Sequence, residues 1–93
     1  YFVAQINIFD QDKYNQYLAG YNEIFDKYRG QVIAVDDEAT VLEGEWAYKR
    51  TVIIKSPTEN DLQAWYLSSE YQELARYRRE ASDANIIMIH GRR

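Results

Sequence analysis

The 93-residue chain contains no cysteine, which removes disulfides, thiolate metal ligands and a cysteine nucleophile together. Its only histidine is His90, so a multi-histidine metal site is excluded as well. A single proline and four glycines leave little material for linkers or low-complexity tracts, and there are no internal repeats. No stretch approaches the roughly 18 consecutive apolar residues of a membrane span. The first residues lack the cationic-then-apolar layout of a secretion signal, so the chain reads as cytoplasmic with no membrane partner. No glycine-rich phosphate loop, dinucleotide fingerprint or nucleophile-elbow serine is present. These absences leave three classes open: acid-base chemistry without metal or cofactor, plain ligand binding, and a haem held by His90. The first two need no cofactor, and none is expected.

What is present describes one globular domain over residues 1–93, with 46% hydrophobic and 28% charged residues. A chain this short buries only roughly 60–65% of the surface it exposes when unfolded, so a partner subunit would add needed stability. Eleven bases against fifteen acids give a net charge of −4, the wrong sign for gripping a polyphosphate, and nucleic acid is disfavoured. Residues 1–45 carry nine acids and three bases, while residues 46–93 carry six and eight. The two halves can complement each other within a subunit or across a dimer, or simply form a mixed solvated surface.

Along the chain, Phe2, Ala4, Ile6 and Ile8 alternate with Val3, Gln5, Asn7 and Phe9, the period of a strand over Tyr1 to Phe9. Asp10 can cap a helix whose stripe runs through Tyr14, Tyr17, Leu18, Tyr21, Ile24, Phe25 and Tyr28, with Gly30 as its stop. A short strand follows at Gln31 to Val35. Val41-Leu42 can extend the pairing, and Gly44 bends the chain toward a strand at Tyr48 to Lys55. Thr58 caps a helix carrying Leu62, Trp65 and Tyr66, which Ser68-Ser69 interrupts. Ser69 caps a second segment with Tyr71, Leu74, Ala75 and Arg78 on one face. Ser82-Asp83 ends it, and Ile86 to His90 forms the last strand.

The resulting order, β-α-β-β-α-β, predicts an α+β ferredoxin-like fold: a four-stranded antiparallel sheet with two helices on one face. Val32 to Val35, Val52 to Ile54 and Ile86 to Ile89 are apolar on both sides, so the face without helices also needs a cover. A two-fold homodimer with sheet packed on sheet supplies it, whereas a monomer would expose an aliphatic patch. RNA-recognition domains share the element order, but strand three here reads Tyr48-Lys49-Arg50-Thr51-Val52-Ile53-Ile54-Lys55, without their stacking aromatics.

Arg78 falls on an otherwise apolar helix face, so its guanidinium points inward or along the core edge, and an inward charge requires a partner. Glu43, beside Gly44, is a candidate for a structural ion pair. The alternative is that Arg78 binds a substrate carboxylate. His90 is the one side chain whose ordinary pKa suits proton transfer near neutrality, set against a plain structural role at a strand end. Trp65 and Tyr66, with Tyr14, Tyr17 and Tyr21, offer aromatic walls and hydroxyls for a cavity between helices and sheet, although their helical spacing suits core packing too.

Tyr28-Arg29-Gly30, Val41-Leu42-Glu43-Gly44-Glu45-Trp46, Ala64-Trp65-Tyr66-Leu67-Ser68-Ser69-Glu70-Tyr71, Arg78 and Ala81-Ser82-Asp83 resemble the bacterial family designated domain of unknown function thirteen-thirty. The similarity runs from about Tyr1 to Gly91. It implies a ferredoxin-like subunit of the dimeric α/β-barrel superfamily, with no assigned activity or catalytic residues. The chain departs from the family's usual pattern at Lys55-Ser56, where Glu-Phe is common, and at Ser69, where proline is frequent. The wider superfamily includes cofactor-free oxygenases, lactone isomerases and haem-degrading enzymes, which raises the expectation of a small-molecule pocket. Asn7, Trp65 and His90 match the residue types used by the haem-degrading members, but not their placement, so those roles are not transferred.

The resulting expectation is a homodimer with one pocket per subunit for a small carboxylated or aromatic metabolite. Arg78, Trp65, Tyr17 and Tyr66 would bind it, and His90 or Glu43 would move a proton if it is transformed. The alternatives are a non-catalytic ligand-binding or stress-associated module and a structural dimer.

Overall fold

The computed structural model describes residues 1–92. Four strands, β1 (Phe2–Ile8), β2 (Gln31–Asp36), β3 (Arg50–Lys55) and β4 (Ser82–Met88), alternate with three helices, α1 (Gln11–Phe25), α2 (Glu59–Tyr66) and α3 (Ser69–Ala81). The sheet order is β2-β3-β1-β4 with every neighbouring pair antiparallel, the expected α+β arrangement with its second helix divided in two.

Strand β1 sits at the centre because its alternate residues Phe2, Ala4 and Ile6 are all apolar and are buried under the helices. Asp10 starts α1 by accepting a hydrogen bond from the Lys13 amide at 3.1 Å. The amides of Phe9 and Asp10 both donate to the Ala81 carbonyl, at 2.9 and 3.1 Å, tying the exit of β1 to the end of α3. Helix α1 stops at Phe25, five residues before Gly30, and Tyr28 lies in the turn that follows. Gly30 is not the helix stop expected of it. A Cβ there would lie 2.5 Å from the Phe25 ring, so the glycine provides room for the core and not a left-handed backbone. Gly44, at φ 78°, is the one residue with positive φ among those described, and it makes the bend expected of it.

Thr58 caps α2 by accepting from the Asp61 amide at 3.0 Å. The break before α3 falls one residue earlier than its spacing suggested. Ser68, not Ser69, accepts from the Tyr71 amide at 3.1 Å and donates to the Trp65 carbonyl at 2.8 Å. One hydroxyl thereby closes α2 and opens α3. Helix α3 then passes directly into β4 with no intervening loop, so Ser82 begins a strand, and β4 ends at Met88, short of His90. Strand β3 begins at Arg50 instead of Tyr48, and Val41-Leu42 joins no strand, lying in the irregular segment 37–49 with Leu42 91% exposed.

The register separates the two faces. Directly paired residues point to the same side, so Phe2, Ala4, Val52, Ile54 and Ile86 face the helices. Ala34, Ile53, Val3 and Ile87 form one aliphatic row across all four strands on the other side, followed by a polar row of Asp36, Thr51, Gln5 and Asn85. The outer face is therefore half polar, less aliphatic than the apolar runs implied. The reason is an irregularity between Val32 and Ala34, which places Val32 opposite Ile54 and Val35 opposite Val52, both on the helix side.

Removing the shared cap with Ser68→Ala should lower unfolding free energy by about 1 kcal/mol. Urea denaturation followed by circular dichroism measures this, and an unchanged midpoint would show that the α2–α3 break holds without it.

Candidate functional site

A cavity of about 280 Å³ opens between the sheet and α1 and α3. Its floor is aliphatic, built from β1, β2 and β3, and Ala4 creates the depth: a single methyl stands between Val52 and Ile86, where its neighbours Phe2 and Ile6 are large. Its roof is phenolic. Tyr14, Tyr17 and Tyr21 come from α1 at helical spacing, and Tyr71 descends from α3. Two arginines complete the lining, Arg78 from α3 and Arg50 from the start of β3.

Arg78 is only 4% exposed. Its guanidinium carbon lies 6.0 Å from the Tyr17 ring centroid, and its Nε is buried with no hydrogen-bond partner. Among the described residues no carboxylate forms an ion pair with it. Burial opposes its charge while Tyr71 and Tyr17 act the other way, and its pKa lies above the usual arginine value, so Arg78 is a cation at neutral pH. Arg50 is differently placed. Its Nε donates to Asp37 Oδ1 at 2.7 Å and its Nη2 to Asp37 Oδ2 at 3.0 Å, a two-bond fork, while its guanidinium carbon lies 5.5 Å from the Tyr14 ring centroid.

The Tyr17 and Tyr71 hydroxyls share a hydrogen bond of 2.8 Å. The Tyr21 hydroxyl is buried without a partner. Burial, reinforced by Tyr71, pushes the Tyr17 and Tyr21 phenols well above the ordinary tyrosine range. Tyr14 is also raised by burial, with Arg50 and Arg78 both pulling the other way, so this phenol lies within the field of both guanidiniums. At neutral pH these phenols are neutral groups able to donate hydrogen bonds to a negatively charged guest.

The structure brings Tyr17 and Arg78 together in this cavity and leaves the other expected site residues outside it. Trp65 is 1% exposed and lies behind the wall, its ring centroid 4.4 Å from Tyr71 and 5.3 Å from Phe2, so it supports the cavity without lining it. Tyr66 borders a separate hollow beside Leu62, Leu67 and Met88 on the β4 side. His90 lies beyond β4, exposed, with Nε2 3.1 Å from Glu59 Oε2. Glu43 sits in the exposed segment 37–49 and makes no ion pair among the described residues. The expected Glu43–Arg78 pairing is therefore absent, because Arg78 turns into the core while Glu43 stays in solvent. Arg50, Asp37 and Ala4 were not singled out from the sequence. Only the strand register reveals that Arg50 shares a face with Ile6.

No group of histidine, aspartate or glutamate side chains among the described residues is arranged to hold a metal ion, and none of the described helices is long and apolar enough to cross a membrane. The Arg50 fork holds the Asp37 carboxyl below the usual aspartate pKa. A depressed folded-state pKa means the stabilisation is full above the unfolded value of about 4 and is lost as pH falls through the lower folded value. For so exposed a pair it amounts to about 1 kcal/mol or less. Asp37→Asn should therefore narrow the stability difference between pH 5 and pH 2, read from melting curves, and an unaltered acid limb would show that the pair contributes nothing to folding.

Two solved structures share the fold. The RPA0582 protein of unknown function from Rhodopseudomonas palustris superposes with a TM-score of 0.74 at 15% identity, covering 92% of this chain and 76% of that one. A methylated form of RPA0582 gives a TM-score of 0.78 at 13% identity, with 99% and 79% covered. No protein of curated function matches the chain. The family model described as Domain of unknown function (DUF1330) matches residues 1–92, and the chain belongs to that family.

Proposed function

We propose that the domain binds a small carboxylate with an apolar or aromatic body in the cavity between helices and sheet, with Arg78 as the anchor. The observation that carries this reading is an arginine, Arg78, 4% exposed as a residue, with an unpartnered Nε and no acid paired to it among the described residues, lining an aromatic cavity of about 280 Å³. A buried charge without a counter-ion costs several kcal/mol, and a ligand carboxylate would offset that cost with paired hydrogen bonds. The Tyr21 hydroxyl and the Tyr17–Tyr71 pair add neutral donors nearby, and the aliphatic floor receives the body of the ligand. His90 and Glu43 lie outside this cavity, and its phenols are held protonated, so the geometry favours binding over proton transfer.

The same proposal includes a second copy of the chain on the outer face of the sheet. Support comes from the row of Ala34, Ile53, Val3 and Ile87, with Ile87 57% exposed, and from the small size of the domain. The wild-type protein should sediment as a dimer and Ile87→Asp as a monomer. A monomeric wild type would remove this part of the proposal and leave the cavity untouched.

Arg78→Met tests the cavity. If the arginine awaits a ligand, the empty variant should be as stable as wild type or more so, because an unpaired buried charge has been replaced by an apolar side chain. Short carboxylates such as benzoate or hexanoate should raise the wild-type melting temperature and leave that of the variant unmoved. Loss of several kcal/mol in the empty variant would instead assign Arg78 a purely structural role. Ala4→Leu fills the floor beside Val52 and Ile86 and should reduce carboxylate affinity at least tenfold by calorimetry while the fold persists. Undiminished affinity would place the ligand elsewhere.

A further inference from the structure

The cavity carries two guanidiniums in different states, and the difference bears on which carboxylates it accepts. Arg78 has no acid partner among the described residues, whereas both donors on the Nε and Nη2 edge of Arg50 are taken by Asp37, at 2.7 and 3.0 Å. Arg50 lines the cavity and also an outer hollow shared with Asp37, Asn7 and Lys49, so Asp37 holds it from the side away from the phenols. We propose that Asp37 acts as a built-in occupant of the second anion position, making the site selective for monocarboxylates and against dicarboxylates of the same length. This inference rests on the reading of the cavity as a carboxylate site and names the class of ligand it takes.

The argument follows from charge and chemistry. A monocarboxylate places its one anionic group at Arg78 and its tail on the aliphatic floor, where Ile54, Val52 and Ile6 offer apolar contact. A dicarboxylate has a second charged group that must enter the same apolar space. The cation nearest to it is already neutralised, and the Asp37 carboxylate repels it. Selectivity of this kind comes from a repulsive element more than from an added attraction. Arg50 lies 5.5 Å from the Tyr14 ring centroid, and both arginines line the cavity that Tyr14 lines, so the two positions belong to a single cavity.

The test uses flexible chains, so that the separation of the two arginines does not decide the result. Monocarboxylates from butanoate to octanoate and dicarboxylates from succinate to suberate are titrated by calorimetry into wild type, Asp37→Asn, Asp37→Ser and Arg78→Met. In wild type each monocarboxylate should bind at least tenfold more tightly than the dicarboxylate of equal length. In both Asp37 variants the released Arg50 should reduce that ratio at least tenfold for one or more chain lengths. The Asp37–Arg50 pair is partly solvent-exposed, with side-chain exposures of 43% and 19%, and the two replacements differ in size, so a folding defect in one does not remove the test. A ratio unchanged at every length in both variants overturns the role of Asp37 while leaving the anchor at Arg78 in place. Monocarboxylate binding by wild type that Arg78→Met retains, or no binding at all, overturns the carboxylate-site reading and this inference with it.

Discussion

The contact between Trp65 and Tyr71, ring centroids 4.4 Å apart, holds the layers of this small domain together. Trp65 lies in the last turn of α2 and Tyr71 in the first turn of α3, so the pair locks two short helices into one unit across the Ser68 break. Trp65 also meets Phe2 of β1 and Phe25 of α1 edge-on, each at 5.3 Å. Every layer thus touches one indole. Aromatic pairs of this geometry contribute beyond the area they bury, which matters for a chain too short to assemble a large aliphatic core.

That aromatic centre has a second effect, because it is phenolic as well as apolar. Tyrosines pack as hydrocarbons along their rings but require partners for their hydroxyls. Tyr17 and Tyr71 satisfy each other, while Tyr21 does not find a partner within the core. Arg78 lies over the Tyr17 ring beside these phenols, buried and with its Nε unpartnered. The same residues that close the core on the Trp65 side therefore line a cavity on the other, and core packing and the polar lining of that cavity are two uses of one cluster.

How much of this the sequence revealed depends on the range of the interaction. The strand alternation of β1, the stripe of α1 from Tyr14 to Phe25 and the Thr58 cap are local patterns, and each appears in the structure, although α1 ends short of Tyr28. Tyr17 and Arg78 were legible as inward-facing for the same reason. The failures are long-range. Nothing local shows that Val32 and Val35 share a face, because that follows from an irregularity in the pairing of β2 with β3. Glu43 looked like a partner for Arg78 because it is an acid beside the Gly44 turn and Arg78 is an inward-facing base, yet the segment 37–49 leaves Glu43 in solvent. The Arg50–Asp37 fork spans 13 residues across that same segment and depends on where β3 begins.

The junction at Ala81 and Ser82 gives the backbone beneath Arg78 a mechanical property. Ser82 Oγ donates to the Arg78 carbonyl at 2.6 Å, and Ser82 is paired with Ile8 in the sheet, so the backbone under the arginine is fastened to the framework within a single turn. No hinge separates them. Helix α3 cannot tilt without dragging β4 against its neighbour, so the cavity wall that carries Arg78 is stiff.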